Sequence, residues 1–411
     1  MKMKKIPVFS FSALFAQMPV RVLTLFLLGF AVLCPLFLKA QSVSPAAKEP
    51  SRTDWKKLTK NARSGNIESQ LQLAMAYDFG KGVEPDKSEA LRWYRKAADT
   101  GNPEAQANLG YLYETGPEPV RNVVEAGKWY TRAAVAGSSI AQLNLGLLYL
   151  RGAGINKSID DGVYWIKRAA SVGDSGAMAA LGYLYSIGAG VPVDVTEAFK
   201  LIQKSAMKND ATGQALLGSL YAHGTGVPKD AERALLWYRK AAEAGSATAH
   251  FGLGVLYEHG EGVQPDKHEA LLHFQTAAAS GSKQAQEALG EIYELGEGAP
   301  VDYQEAAKWY RIAADQGEVR AETRLAVILF QGHGIPQNVP EAAKLWTQAA
   351  EQGYPYAQFD LAELYWKGIG VPCDLPKAYA LFTKAGKSLD VSKPLASLSS
   401  EMRQEVAAYS H

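Results

Sequence analysis

The chain repeats itself every 36 residues, nine times over, without an insertion or a deletion. The pair Trp93-Tyr94 returns as Trp129-Tyr130, Trp237-Tyr238 and Trp309-Tyr310. In looser form it returns as Trp165-Ile166, Leu201-Ile202, His273-Phe274, Leu345-Trp346 and Leu381-Phe382. Gly80, Gly116, Gly152, Gly188, Gly224, Gly260, Gly296, Gly332 and Gly368 keep the same step. A second glycine follows two positions later in every unit but the second, where Glu118 replaces it. A fixed period of this length is the signature of a stacked helical array. It also decides a local ambiguity. The glycine-rich stretch GLGVLYEHGEGVQPDKHEALLHF (252–274) resembles a phosphate-cradling loop when read alone. Such a loop opens a helix, whereas these glycines close one in every unit, and no Gly-Lys-Ser or Gly-Lys-Thr follows them.

Each position of the unit has a physical reason. In AQANLGYLYETG (105–116), Ala105, Leu109, Leu112 and Tyr113 form an apolar stripe at helical spacing. The slot of Gly110 holds glycine in six units and alanine in three (Ala74, Ala326, Ala362). Glycine inside a helix costs about 1 kcal/mol against alanine, so this restriction predicts a second helix crossing at close range. The Gly-x-Gly pair ends the first helix, its first glycine taking the left-handed conformation. The second helix starts at Asp86, Asn122, Ser158, Asp194, Asp230, Asp266, Asp302, Asn338 or Asp374, all residues that satisfy orphan N–H groups. Glu89, Glu125, Glu197, Glu269, Glu305 and Glu341 stand three residues later and predict a capping box. The expected fold is therefore all-α. It is a right-handed solenoid of nine 36-residue helix-turn-helix repeats over 66–387, with a capping helix at each end. The N-terminal cap spans 54–65. The C-terminal cap lies in 388–411, with Ser399 or Ser400 starting its helix.

The pattern A-x-x-x-L-G-x-x-Y-x-x-G-x-G-V-x-x-D-x-x-x-A-x-x-W-Y-x-x-A-A-x-x-G, followed closely by residues 215–245, resembles the Sel-one-like repeat, a relative of the tetratricopeptide repeat. The resemblance covers about 66 to 387 and implies a non-catalytic adaptor or scaffold that holds other proteins. Exported bacterial members are associated with envelope assembly, secretion or host contact. A cysteine-rich subgroup is linked to penicillin binding, but this chain lacks its paired cysteines.

The ends and the composition narrow the setting. Lys2, Lys4, Lys5 and Arg21 precede an uncharged apolar run from Val22 to Leu38. Residues 1–40 therefore read as a cleaved export signal or, alternatively, an N-terminal membrane anchor, with 41–53 as a polar linker. The repeats are then expected outside the cytoplasm, periplasmic or extracellular, touching membrane only through that segment. The two cysteines, Cys34 and Cys373, exclude a scaffold of intrachain disulfides. A net charge of +1 gives no basic surplus for nucleic acid.

Three strings imitate catalytic motifs. Gly173-Asp174-Ser175-Gly176 sits where other units place an inter-unit turn. Ser205-x-x-Lys208 and Ser280-x-x-Lys283 match the minimal β-lactamase string without its partner motifs. No nucleophile, base and orienter set is readable, and neither a cofactor nor a metal is expected. His223, His250, His259, His268 and His273 crowd into units five and six without the acids or thiols of a metal site.

Constant slots are consumed by packing, so function is expected in variable slots of the first helices, which line the concave face of such arrays. The slots of Asn108, Tyr111 and Thr115 qualify by spacing. Asn108 and Asn144 would offer amide hydrogen bonds to an extended peptide. Tyr111, Leu147, Tyr183 and Ile187, with Arg151, would add a mostly apolar strip over units two to four. Later units are more charged. The expected function is an exported, monomeric adaptor for a protein or peptide. The alternatives are a cell-envelope enzyme of penicillin-binding or β-lactamase type and a self-associating envelope scaffold.

Overall fold

The computed structural model describes residues 52–392 and 394–400. Residues 1–40, expected to be an export signal or anchor, most of the segment 41–53 and residues 401–411 lie outside them. α1 (Arg52–Arg63) precedes nine helical hairpins. They are α2 (Ile67–Phe79) with α3 (Lys87–Ala98), α4 (Pro103–Thr115) with α5 (Val123–Val135), and α6 (Ser139–Arg151) with α7 (Ile159–Ser171). There follow α8 (Ser175–Ile187) with α9 (Val195–Met207), α10 (Ala211–His223) with α11 (Ala231–Glu243), and α12 (Ala247–His259) with α13 (Lys267–Ala279). The last are α14 (Lys283–Leu295) with α15 (Tyr303–Ala314), α16 (Val319–Gln331) with α17 (Val339–Glu351), and α18 (Pro355–Lys367) with α19 (Leu375–Ala385). Among the described residues there is no strand, and no helix is long and apolar enough to cross a membrane. Two compact units divide after Ser246: repeats one to five with α1, and repeats six to nine with the C-terminal residues. Within each unit every helix packs against the next along the chain.

All nine second helices are capped by the side chain expected, whose oxygen accepts from an N–H two or three residues on. The capping box does not close as expected. The N–H that the glutamate would receive is already spent: Asp86 donates it to Tyr77 O at 2.9 Å, and the same bond recurs from Asn122 to Tyr113 and from Asp302 to Tyr293. This bond ties the start of the second helix to the end of the first. Glu89, Glu125, Glu197 and Glu305 turn instead to cations three residues on, as Glu125 does to Lys128 at 2.7 Å, while Glu341 takes Arg311 at 2.6 Å.

The close crossing at the small slot is present. A Cβ built on Gly110 would stand 2.7 Å from the Tyr130 ring, and one on Gly218 2.7 Å from the Tyr238 ring. Gly116 departs from the left-handed helix ending, with φ −67 and ψ 161. Pro117 follows it, and the residue before a proline is pushed into extended backbone. A slot that the repeat pattern left unexplained holds Gln70, Gln106, Gln142, Gln286 and Gln358. Each donates its amide to the carbonyl eight residues earlier, at 3.1–3.2 Å, satisfying the end of the preceding helix.

At the chain's end the helix begins earlier than Ser399. Residues 394–400 are helical, and Ser399 donates its hydroxyl to Leu395 O inside that helix. Asp390 does the capping work, accepting from the Ser392 N–H at 3.0 Å.

Candidate interaction face

Second helices turn one side inward and the other to solvent, while first helices are covered on most of their circumference. Neighbouring first helices also touch directly, α4 with α6 and α8 with α10 in one unit, α14 with α16 in the other. What remains accessible on them is a narrow stripe, and its chemistry changes along the array.

In repeats two to four this crowding corrects the expectation for three of the seven candidate residues. Asn108, Asn144 and Leu147 are buried, so their side chains are not offered outward. Asn144 is hydrogen-bonded to the Tyr130 hydroxyl, which donates to Glu114 Oε2 at 2.9 Å. Arg151 closes the chain with a 2.5 Å contact to Glu114 Oε1 and a further bond from Nε to Leu147 O. Burial and the neighbouring Glu114 carboxylate push the Tyr130 hydroxyl well above its ordinary pKa. The Asn144 amide, expected to hold a peptide, thus holds the crossing of two helices. Tyr111, Arg151, Tyr183 and Ile187 stay partly accessible.

The same crossing explains a correlation that sequence reading missed. In six of the nine repeats a matched partner stands sixteen residues before the deep aromatic or aliphatic residue; repeats four to six, with Ser186 before Ile202, Ala222 before Tyr238 and Glu258 before Phe274, do not keep the match. Tyr94 donates to Asp78 at 3.2 Å, Tyr130 to Glu114, and Tyr310 to Glu294 at 2.7 Å. Where the deep residue has no hydroxyl, as in Ile166, Trp346 and Phe382, the partner slot holds Leu150, Phe330 and Trp366.

Repeats seven to nine carry a different face. Glu287 and Arg320 pair at 2.9 Å, and Arg324 lies 3.7 Å from Glu294. Burial outweighs the guanidinium and lifts the Glu287 carboxyl to about 7, while that carboxylate holds Arg320 above its usual value. Burial likewise raises the Tyr354 hydroxyl to about 12. On α18, Asp360 is only 3% exposed, and its Oδ2 has no hydrogen-bond partner. Burial, with Glu363 beside it, pushes this carboxyl well above the ordinary carboxylate range.

The catalytic look-alikes occupy structural positions. Asp174 accepts from the Ala177 N–H as the cap of α8, and Ser175 Oγ faces Asp210 at 3.4 Å. Ser205 is fully buried, and Lys208 donates to Gly173 O. Ser280 ends α13, and Lys283 pairs with Glu318 at 3.2 Å. His223 and His259 each bond a carbonyl of their own helix. His250 and His273 face each other with 3.0 Å between their Nδ1 atoms, and Tyr257 stacks on His273. Among the described residues no group of three His, Cys, Asp or Glu is arranged to hold a metal ion.

The profile of the Sel1 repeat matches nine consecutive segments, beginning at 67–102 and ending at 355–388. A solved Sel1 repeat protein from Oxalobacter formigenes is similar, at 29% identity over 81% of this chain and all of that one, with a TM-score of 0.50. A protective antigen present in uropathogenic Escherichia coli strains, displaying an SLR fold, also aligns. It shows 29% identity over 80% of this chain and 78% of that one, with a TM-score of 0.45. A search of curated proteins gives no significant match.

Proposed function

Because the chain belongs to the Sel1 repeat family, whose members are generally non-catalytic protein-binding scaffolds, we propose that it is an exported adaptor holding a protein or peptide partner on its first-helix stripe. One observation carries this reading. The stacking frame is constant from repeat to repeat, while the residues left accessible on that frame change, from Tyr111, Arg151, Tyr183 and Ile187 in repeats two to four to Leu295, Gln331 and Lys367 in repeats seven to nine. A frame of this kind separates the residues that fold from those that recognise. In the first unit the recognising residues are Tyr111, Arg151, Tyr183 and Ile187. Export is supported by the lysines ahead of the apolar run from Val22 to Leu38.

The test is site-specific photo-crosslinking in cells at Tyr111 and Tyr183, with Lys96 on an exposed second-helix surface as control. The expected result is one discrete protein species captured from the first-helix positions only. That capture should be lost in Tyr111→Ala/Tyr183→Ala while the circular dichroism melt is unchanged. Equal capture at Lys96, or none at any position, would overturn the assignment. N-terminal sequencing of the extracytoplasmic protein tests export and cleavage together.

A further inference from the structure

We propose that the C-terminal ends of the second helices in repeats two to four dock the protein on an anionic phospholipid surface, through a column of cations with exposed apolar residues beside them. The inference goes beyond the adaptor reading, since it concerns the second helices and leaves the first-helix stripe free.

The column shows when the repeats are aligned. The slot of Lys96 holds Arg132, Arg168, Lys204 and Lys240 in the next four repeats, then Thr276, Ile312 and Gln348 in repeats six to eight. All five cations are exposed. A cation in the last turn of a helix ordinarily serves the negative end of the helix dipole. That need is the same in every second helix, yet the last turns of α13 and α17 hold no base. The frame therefore does not require the column. Nor do neighbouring acids neutralise it, for none of the five is ion-paired to a carboxylate among the described residues. Four of them are laid over the tryptophan one turn earlier. Lys96 stands 4.3 Å from the Trp93 ring, Arg132 4.5 Å from Trp129, Arg168 5.6 Å from Trp165 and Lys240 4.4 Å from Trp237. Each ring fixes where its charge stands.

Apolar residues accompany the middle three cations. Val135 and Met207 follow Arg132 and Lys204 by three positions, and Val172 follows Arg168 by four, so each shares a side with its cation. They are 67%, 67% and 69% exposed. Tyr164, one turn before Arg168, is 54% exposed, and its hydroxyl accepts from that guanidinium at 3.4 Å. At the two ends of the unit the slot of Val135 and Met207 turns acidic, as Asp99 and Glu243. Asp174 and Asp210 also lie at this edge, but each carboxylate accepts from an N–H of the helix it caps. Apolar side chains raised among cations suit an anionic bilayer, whose headgroup boundary takes the former while its phosphates meet the latter. A soluble polyanion would use the charges and gain nothing from the valines and the methionine. The export reading supplies the setting. Residues 39–51 alone separate the apolar run ending at Leu38 from α1, a reach of at most about 45 Å, so an array still carrying that run stays beside its own bilayer.

The experiment is flotation of the full chain with phosphatidylcholine vesicles, either alone or with about 30% phosphatidylglycerol, at about 0.15 M salt. The neutral vesicles report whatever residues 1–40 bind by themselves. Partition onto the anionic vesicles is expected to be at least about tenfold greater, and to fall as salt rises. Arg132→Gln/Arg168→Gln/Lys204→Gln should bring it down to the neutral level. Lys308→Gln/Lys344→Gln/Lys387→Gln, the same loss of charge in the other unit, should keep the preference. Val135→Ser/Val172→Ser/Met207→Ser should weaken partition severalfold at unchanged charge. All of these side chains are exposed, so the melts should match the parent. Equal partition onto both vesicle types, an equal loss in the Lys308 variant, or a preference surviving in the Arg132 variant would overturn the proposal. Partition unmoved by the serine variant, with polyglutamate competing as well as lipid at equal charge, would give the column to a soluble acidic partner and overturn it too. None of these results touches capture at Tyr111, on which the adaptor reading stands.

Discussion

Tyr130→Phe removes one oxygen atom and tests whether repeats two and three are held by the polar crossing described above. The hydroxyl donates to Glu114 at 2.9 Å and is hydrogen-bonded by Asn144. Both partners are buried, Asn144 completely. Deleting the oxygen costs one hydrogen bond to a charged group, about 1.5–3 kcal/mol, and one neutral bond, about 0.5–1.5 kcal/mol. The expected loss is therefore about 2–4.5 kcal/mol. Repeat five supplies the internal control. Tyr238 occupies the same slot, but its hydroxyl is hydrogen-bonded to Ser219, a half-buried side chain, and the acid slot there holds Ala222. Tyr238→Phe should cost about 0.5–1.5 kcal/mol.

Urea denaturation gives the size of each loss, and native-state hydrogen exchange gives its location. In a repeat array each unit contacts only its neighbours, so the damage should be local. Tyr130→Phe should lower amide protection across α4 to α6 and leave α10 and α11 at parent values. Tyr238→Phe should do the reverse, more weakly. A Tyr130→Phe loss no larger than that of Tyr238→Phe would refute the reasoning, since it would mean that the buried partners are not dependent on the hydroxyl.

Three further outcomes follow from the geometry. Gly290→Ala places a Cβ 2.5 Å from the Tyr310 ring, so overpacking of about 1–3 kcal/mol should exceed the ~1 kcal/mol gained in helix propensity and lower the melting temperature. Gln142→Ala removes one of two hydrogen bonds on the Ala134 carbonyl, which keeps that from the Gly137 N–H at 3.1 Å, and should cost about 0.5–1.5 kcal/mol with lost protection where α5 meets α6. Glu287 is held protonated up to about 7, against 4.5 ordinarily. Between those values the folded chain binds more protons than the unfolded one, so stability should fall as pH rises through that window and level off above it. Glu287→Gln should flatten this slope in denaturation measured from pH 4 to 8.

The hairpin frame was legible because its constraints are local. Asp86 and its eight counterparts cap whatever else happens, and the Gly110 slot reports a crossing that no larger residue survives. The interaction face was less legible, because period alone says which residues share a side of a helix and not what covers that side. Asn108, Asn144 and Leu147 have the spacing of an outward stripe, yet α4 and α6 touch and enclose them. The signal that would have found this was present in the comparison between repeats. In repeats one, two and seven an acid stands sixteen residues before a deep tyrosine, and in repeats three, eight and nine an apolar residue stands there where the hydroxyl is missing, which marks the two slots as partners inside the fold. Applied to repeat nine, the same comparison is informative in the other direction. There the deep residue is Phe382 and its matched partner is Trp366, so the core crossing is satisfied without any acid. Asp360 stands in the slot of Asn144, which meets the deep residue fourteen positions earlier, and in repeat nine that residue is Trp346. Burying two carboxyls side by side lowers stability unless something else is gained. Asp360 and Glu363 occupy the slots of Asn144 and Leu147 and are buried like them, so here too the period marks an outward stripe that packing encloses.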